Sequence, residues 1–359
     1  MTPAAEQKRV YVGLSGGVDS SVAALLLQRE GYDVVGVFIK GWQPDFLPCT
    51  WKEDRQSAMR VAATLGIPFR TIDLSLEYKR EVFDRMTAGY EHGETPNPDV
   101  WCNEKIKFGL FLEHALRDGA THVATGHYAR RVDDSSGVAH LHLSEDTEKD
   151  QTYFLGRISQ DALQHALFPI GHLTKTMVRD IARDAGLPTA GRKDSQGLCF
   201  VGMLDMKDFL RASIPHERGA VTNVDGQVIG HHDGVGLYTL GERHGFEVSG
   251  ASTDRSPVFV IAKNVATNTL VVGPKSDRQT SNTVVIRDLR KLGSKSWLQG
   301  MSYDVRFRYR QSLVNARITA QSDEMCTVQF DTAQERPAAG QLLVLYDAGE
   351  CIGSGIIVS

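Results

Sequence analysis

The sequence predicts an α/β domain with a parallel sheet over residues 1–208, followed by two small antiparallel β-barrels over 209–275 and 280–359. Three observations carry this. The first part alternates short apolar runs with helix-period segments, the βαβα rhythm of a sheet covered on both faces. Past about residue 210, turn residues become dense and short alternating segments replace the helices. The length, 359 residues, exceeds what one hydrophobic core organises.

Taken in order, residues 10–14 read as the first strand and 20–30 as a helix that stops at Gly31. Residues 34–39 are a second strand, 52–65 a helix and 69–74 a third strand. Residues 108–116 are helical, and 122–125 form a strand ending in Gly126. Ligands of such sheets bind at the carboxyl ends of the strands. Downstream, Asp225-Gly226, His232-Asp233-Gly234, Gly241 and Gly245 are turn signals between alternating segments such as 258–261 and 269–272. The polar stretch 274–282 reads as a linker. Segments 303–309, 316–319, 326–330, 342–346 and 352–358 then supply the last barrel.

Hydrophobic residues make up 41% and charged residues 23%, which excludes a disordered or collagen-like chain. No apolar run approaches the ~18 residues of a membrane span, and residues 1–9 lack the apolar core of a secretory signal. The five cysteines are odd in number and widely spaced, unlike a disulfide framework. These features predict a cytoplasmic protein with no membrane partner, whose thiols stay reduced.

The strongest local signal is Ser15-Gly16-Gly17-Val18-Asp19-Ser20-Ser21, between the first strand and the first helix. Two glycines let the backbone turn tightly against an anion, and the helix start offers unpaired N–H groups and a positive dipole end. Asp19 could help hold a Mg²⁺ ion that bridges phosphates. The loop lacks the lysine of a Walker motif and the spacing of a dinucleotide fingerprint.

Cys102 follows Thr95-Pro96-Asn97-Pro98-Asp99, where the prolines predict an extended or turned loop. Asp99 lies three residues before it, and Lys105 and Lys107 follow as cations able to stabilise a thiolate. Cys199 sits in Lys193-Asp194-Ser195-Gln196-Gly197-Leu198-Cys199-Phe200, with Arg192 and Lys193 nearby. Cys326 and Cys351 fall in or beside strand patterns and read as small buried hydrophobes. Cys49 is in a loop-like stretch. There is no C-x-x-C, and His231 and His232 would face opposite ways on a strand, so no zinc site is expected. Asp99, Cys102 and Cys199 could still give three ligands to an iron–sulfur cluster, an alternative the residues leave open.

These motifs, joined by Ala124-Thr125-Gly126-His127-Tyr128, Lys149-Asp150-Gln151, Gly236-Leu237-Tyr238-Thr239-Leu240-Gly241-Glu242-Arg243 and Arg308-Tyr309-Arg310-Gln311, resemble the bacterial tRNA-uridine 2-sulfurtransferases, the MnmA-type thiouridylases of the PP-loop ATP pyrophosphatase superfamily. The resemblance runs almost end to end. It implies a Rossmann-like PP-loop domain and ATP-dependent 2-thiolation of the wobble uridine, position 34, of tRNA. It implies that Gly13, Leu14, Ser15, Gly16, Gly17, Val18, Asp19 and Ser20 hold ATP phosphates, with Ile39 and Gly126 lining the adenosine pocket. Cys199 would carry persulfide sulfur, Cys102 would be the second nucleophile and Asp99 a proton carrier. Asn97, Pro98, Asp99, His127, Lys149, Asp150, Gln151, Arg308, Tyr309 and Gln341 would meet tRNA. Implied partners are tRNAs for glutamate, glutamine and lysine, and a cysteine desulfurase or sulfur-relay carrier. Ile39 stands where methionine is common, and Glu242 where glutamine is. The alternative is another PP-loop enzyme, an amidating ligase or a different tRNA thiolase, although amidation does not need two cysteines.

The net charge of −4 gives no hint of a nucleic-acid partner. Residues 281–320, however, hold eight basic side chains against two acidic ones, and residues 321–359 hold one against six. Arg306, Arg308 and Arg310 alternate with Val305, Phe307 and Tyr309. On a strand the three guanidinium groups would share one face and meet phosphates.

Overall fold

The computed structural model describes residues 8–44, 51–193, 197, 199–200, 205–249 and 257–358. Cys49 and residues 194–196 and 198 of the second cysteine motif lie outside them. The first seven strands are β1 (Arg9–Gly13), β2 (Asp33–Lys40), β3 (Phe69–Asp73), β4 (His122–Ala124), β5 (Arg130–Asp133), β6 (Ala139–His142) and β7 (Ala166–Leu167). Five of these form a parallel sheet in the order β3-β2-β1-β4-β7. Alternation along β1 sends Val10 and Val12 to one face, against Ala24, Leu27, Ala58 and Val61 of the helices α1 (Val18–Arg29) and α2 (Trp51–Leu65). Tyr11 goes to the other face, with Val35, Val37, Ile106 and Phe111. Both faces are buried, as a parallel sheet requires. The strand order reverses between β1 and β4, and the crevice there is where such sheets bind ligands.

Strands β8 (Gly219–Thr222), β9 (Val228–His232), β10 (Glu247–Val248), β11 (Phe259–Asn264) and β12 (Thr269–Gly273) form a second sheet, β10-β9-β8-β12-β11. Its β8–β12 pair is parallel, a detail that hydrophobic alternation cannot reveal. His231 is exposed and His232 buried on β9, the opposite facing expected.

The last unit comprises β13 (Thr280–Lys291), β14 (Ser302–Arg306), β15 (Val314–Gln321), β16 (Met325–Glu335), β17 (Leu342–Asp347) and β18 (Glu350–Ile357). They run β13-β16-β15-β14-β17-β18 and close through β13–β18 into a six-stranded antiparallel barrel. Closure pairs the sheet edges, and Ile286, Phe307, Ile318, Phe330, Leu345 and Ile352 fill the interior. The expected linker is shorter than 274–282, because β13 already begins at Thr280. The hairpin β5–β6 extends the barrel sheet by pairing Glu350 with His142 and Cys351 with Leu141. The first domain therefore donates two strands to the last one.

Candidate active site

The loop after β1 has a built shape. Ser20 Oγ accepts the Ser15 N–H at 3.2 Å, and Ser21 Oγ donates to the Gly17 carbonyl at 2.7 Å. Gly16 has φ +79°, and a Cβ there would lie 2.5 Å from the Asp54 carbonyl oxygen, so glycine is required on both counts. Ser57 Oγ and Arg192 Nη1, each 2.9 Å away, hold the Gly16 carbonyl. Helix α1 starts at Val18 with no side-chain cap from Gly17, so its dipole end is presented by backbone N–H groups. Gly126, just past β4, packs on the loop so closely that a Cβ would be 2.6 Å from the Ser20 nitrogen. Ile39 is buried near the end of β2. One participant was not foreseen: Lys175 Nζ lies 2.7 and 2.8 Å from the two Asp19 oxygens, and Tyr128 donates to Oδ1 at 3.0 Å. Lys175 is 156 residues from Asp19 and belongs to the helix Lys175–Asp184, with no local motif to mark it.

The segment expected to be a loop before Cys102 is helical from Pro98 onward. Pro98 occupies the first helical position, where its missing N–H costs nothing, and Asn97 caps the helix by accepting the Asp99 N–H at 3.1 Å. The turn signal was thus a helix start. Three-residue spacing puts Asp99 and Cys102 on one side of it. Cys102 is fully buried, and its Sγ donates to Cys199 Sγ at 3.1 Å. The Cys199 backbone N–H donates to Asp99 Oδ1 at 3.1 Å, and the Tyr78 hydroxyl donates to the Cys199 carbonyl. Tyr78, too, was invisible to sequence reading. The two thiols differ in acidity. The Cys102 hydrogen bond lowers the Cys199 pKa against the effect of burial, with help from Lys107. Burial pushes the Cys102 thiol well up. Burial also raises the Asp99 carboxyl, partly offset by the Cys199 N–H and Lys107. Within the pair Cys102 is the hydrogen-bond donor and Cys199 the more acidic acceptor.

The residues implied to meet tRNA divide into two sets. Asn97, Pro98 and Asp99 lie at the thiols, as described. His127 is buried, with Nδ1 2.7 Å from the Thr125 hydroxyl, between Phe108 and Phe168. Burial and then Lys107 hold it far below the usual histidine range, so it is neutral. Lys149 is half-buried, and Gln151 exchanges two hydrogen bonds with Tyr128, at 2.9 and 3.0 Å. Asp150 faces inward: its buried carboxylate takes Arg306 at 2.8 Å, the Ser144 N–H at 2.8 Å and the Thr152 hydroxyl at 2.7 Å. Gln341 donates to the Thr95 carbonyl and accepts from Tyr153 at 3.3 Å, while Thr95 N–H donates to Ala339 at 2.7 Å. The barrel therefore grips the strand of chain that leads into Asp99 and Cys102. Arg308 is exposed and 3.1 Å from Glu335, and Tyr309 packs on Phe154.

The expected stripe of Arg306, Arg308 and Arg310 does not form. Strand β14 ends at Arg306 because Gln311 Oε1 accepts the N–H groups of Phe307 and Arg308, at 3.0 and 3.1 Å, and folds the chain into a turn. Arg306 is buried on Asp150, and Arg310 sits at φ +61°. Only Arg308 and Arg310 of the three remain exposed.

Among the described residues, no group of three or more His, Cys, Asp or Glu side chains is placed to hold a metal ion. The two thiols hydrogen-bond each other, and Asp99 accepts the Cys199 N–H. Cys326 and Cys351 are buried, and burial pushes their pKa up to about 11 and about 12. Both are inert, as expected.

Family models match the chain in three consecutive stretches. These are a tRNA methyl transferase HUP domain over residues 8–203, a tRNA methyl transferase PRC-barrel domain over 207–274 and an aminomethyltransferase beta-barrel domain over 281–357. The chain is 42% identical to the tRNA-specific 2-thiouridylase of Streptococcus mutans, covering 97% of this chain and 95% of that protein. It is 42% identical to that of Geobacillus thermodenitrificans, over 99% and 96%, and 43% identical to that of Thiobacillus denitrificans, over 97% and 99%. With this identity over nearly its whole length, and with the loop, the paired thiols and all three domains in place, the chain belongs to the tRNA-specific 2-thiouridylase family.

Proposed function

We propose that the protein thiolates C2 of the wobble uridine, position 34, of tRNA in the cytoplasm, using ATP and persulfide sulfur carried on Cys199. The observation that carries this reading is the Cys102–Cys199 pair, 3.1 Å apart, at the carboxyl-end side of a sheet whose first loop is shaped for phosphates. The C2 oxygen is a poor leaving group. Its attack on the α phosphorus of ATP gives an adenylate and pyrophosphate. The N–H groups at the start of α1 and the hydroxyls of Ser15 and Ser20 hold the phosphates. A Mg²⁺ ion arriving with ATP would neutralise phosphate charge; Asp19 is the loop carboxylate that would hold it, and Lys175, paired with Asp19, would add a second positive charge.

The terminal persulfide sulfur then attacks C2 and AMP leaves with the oxygen. The product at this stage is a Cys199–S–S–C2 linkage. Cys102 gives up its proton, for which Asp99 is the nearby carrier, and attacks Cys199 Sγ. The S–S bond to the base breaks, leaving 2-thiouridine and a Cys102–Cys199 disulfide that needs a two-electron reductant. The disulfide requires the sulfurs to close from 3.1 Å to about 2.05 Å, a small movement. The target base leaves its stack to reach the thiols, at little cost in a single-stranded anticodon. A cysteine desulfurase or a sulfur-relay carrier supplies Cys199, and tRNAs for glutamate, glutamine and lysine are the acceptors. The test is incubation with unmodified tRNA, ATP–Mg²⁺ and a persulfide donor, followed by nucleoside mass spectrometry. A 2-thiouridine product, with AMP in equal amount, is expected; thiolation at another base or no sulfur incorporation overturns the proposal.

A further inference from the structure

The helical run that carries Cys102 is wound in an uncommon way. Residues Cys102–Phe111 form ten residues of π-helix between two α-helical ends, although π winding is usually confined to single turns and often marks functional sites. Winding decides which side chains align. At 3.6 residues per turn, two residues five apart point about 140° away from each other. In a π-helix the i→i+5 hydrogen bonding brings them toward one side. Cys102 and Lys107 are five apart. Gly109 records the widened turn from the other side, since a Cβ there would be 3.0 Å from the Glu104 carbonyl, five residues back. The Lys107 amine accordingly stands over the ring of Phe200, the residue after Cys199, 5.7 Å from its centroid, close enough for its charge to act on the Cys199 sulfur. Lys105, the other lysine of the segment, turns away to Glu104 at 3.0 Å.

We propose that Lys107, delivered by the π winding of residues 102–111, is the positioning residue that makes Cys199 the reactive sulfur of the pair and aims it at Cys102. Among the described residues, the charged and titratable groups that act on Cys199 are Cys102 and Lys107 on this helical run, Asp99 one turn before them, and Tyr78 from the helix Ser75–Tyr78. The charge of Lys107 also reaches His127, which burial keeps neutral. Lys107 is the sole cation among these. Burial opposes its charge, but the two cysteines and Asp99 outweigh burial and keep it protonated. The inference rests on the role proposed for Cys199 but not on the identity of the acceptor.

The experiment measures alkylation of Cys199 by iodoacetamide against pH in the full-length protein without tRNA, read residue by residue by peptide mass spectrometry. Lys107→Met is expected to slow Cys199 alkylation at pH 7 about tenfold and to move its profile to higher pH, because the thiolate is the reacting form. Lys107→Arg restores the profile, and Lys105→Met leaves it at wild type. Lys107→Gln serves the same purpose where the Met variant misfolds by circular dichroism. An unchanged profile in the folded neutral variants overturns the proposal, as does an Arg variant that behaves like Met. A wild-type protein with an acidic, Lys107-dependent Cys199 that makes no 2-thiouridine would instead overturn the proposed function and leave this inference standing.

Discussion

The loop after β1 and the thiol pair are built in opposite ways. The loop takes its own shape from about ten consecutive residues whose hydrogen bonds to one another run over two to five positions, with Ser57, Arg192, Tyr128 and Lys175 bracing it from outside. The thiol pair joins residues 97 apart, and besides Lys107 on the Cys102 helix its supports come from still more distant segments: Tyr78, and Gln341 through Thr95. Local construction makes the loop sensitive to its own backbone. Distributed construction makes the thiols sensitive to the whole tertiary arrangement, the barrel included.

Substitutions should separate the two halves. The largest effect is expected from Cys199→Ser, which abolishes 2-thiouridine formation while ATP still binds, checked by nucleoside analysis and calorimetry; residual thiolation would show that sulfur travels another way. Gly16→Val should do the reverse. Its left-handed φ costs about 1–2 kcal/mol for a residue with a Cβ, and the contact with Asp54 adds to it. ATP affinity and melting temperature both fall, with Cys199 alkylation kept. Gln341→Ala tests the long-range support: with one hydrogen bond to the Thr95 loop gone, worth about 1 kcal/mol, turnover drops several-fold at unchanged ATP affinity. The smallest effect belongs to Arg308→Ala, which should lower the slope of tRNA affinity against salt by about one. A slope that does not move would remove Arg308 from the phosphate contacts.

The same division explains what could be read in advance. The strand–loop–helix unit at Gly13–Asp19 was legible because apolar periodicity and glycine spacing are properties of neighbouring residues. Gly126 and Cys199 were legible through motif resemblance. The pairing of Lys175 with Asp19 was not, since nothing near residue 175 records a partner 156 positions away. Pro98 misled because proline favours both a turn and the first position of a helix, and only the Asn97 cap decides. The arginine alternation misled because period two persists in a sequence after the strand has stopped, here at a turn held by Gln311. The barrel's share in the thiol site was hidden for the same reason as Lys175.

His140 illustrates a pH dependence at the junction of hairpin and barrel. Its Nδ1 is 2.6 Å from Glu350 and its Nε2 3.2 Å from Asp134. The Glu350 hydrogen bond raises the His140 pKa, with Asp134 adding to it. A raised folded pKa means the contribution to stability is present below the unfolded value and is lost as pH rises through the folded one. Asp134 is held well below the usual carboxylate range by Ser136, Val138 and His140, an effect that screening at this exposed carboxylate reduces. Denaturant midpoints should therefore fall from mildly acidic toward alkaline pH, with His140→Gln flattening the trend.

The shared sheet at that junction also sets a timetable. Strand β6, paired with β5 on one side, finds the partner for its other edge only in β18, about 210 residues further along the chain. At ribosomal speeds of roughly 5–20 residues per second, synthesis of that interval takes about 10 to 40 seconds. Throughout it the nascent hairpin carries an open edge of unsatisfied N–H and C=O groups, the kind of template on which stray strands pair. A chain slowed or cut short before β18 would meet its neighbours with that edge still uncovered, making the hairpin a sensitive point for aggregation during biogenesis rather than after it.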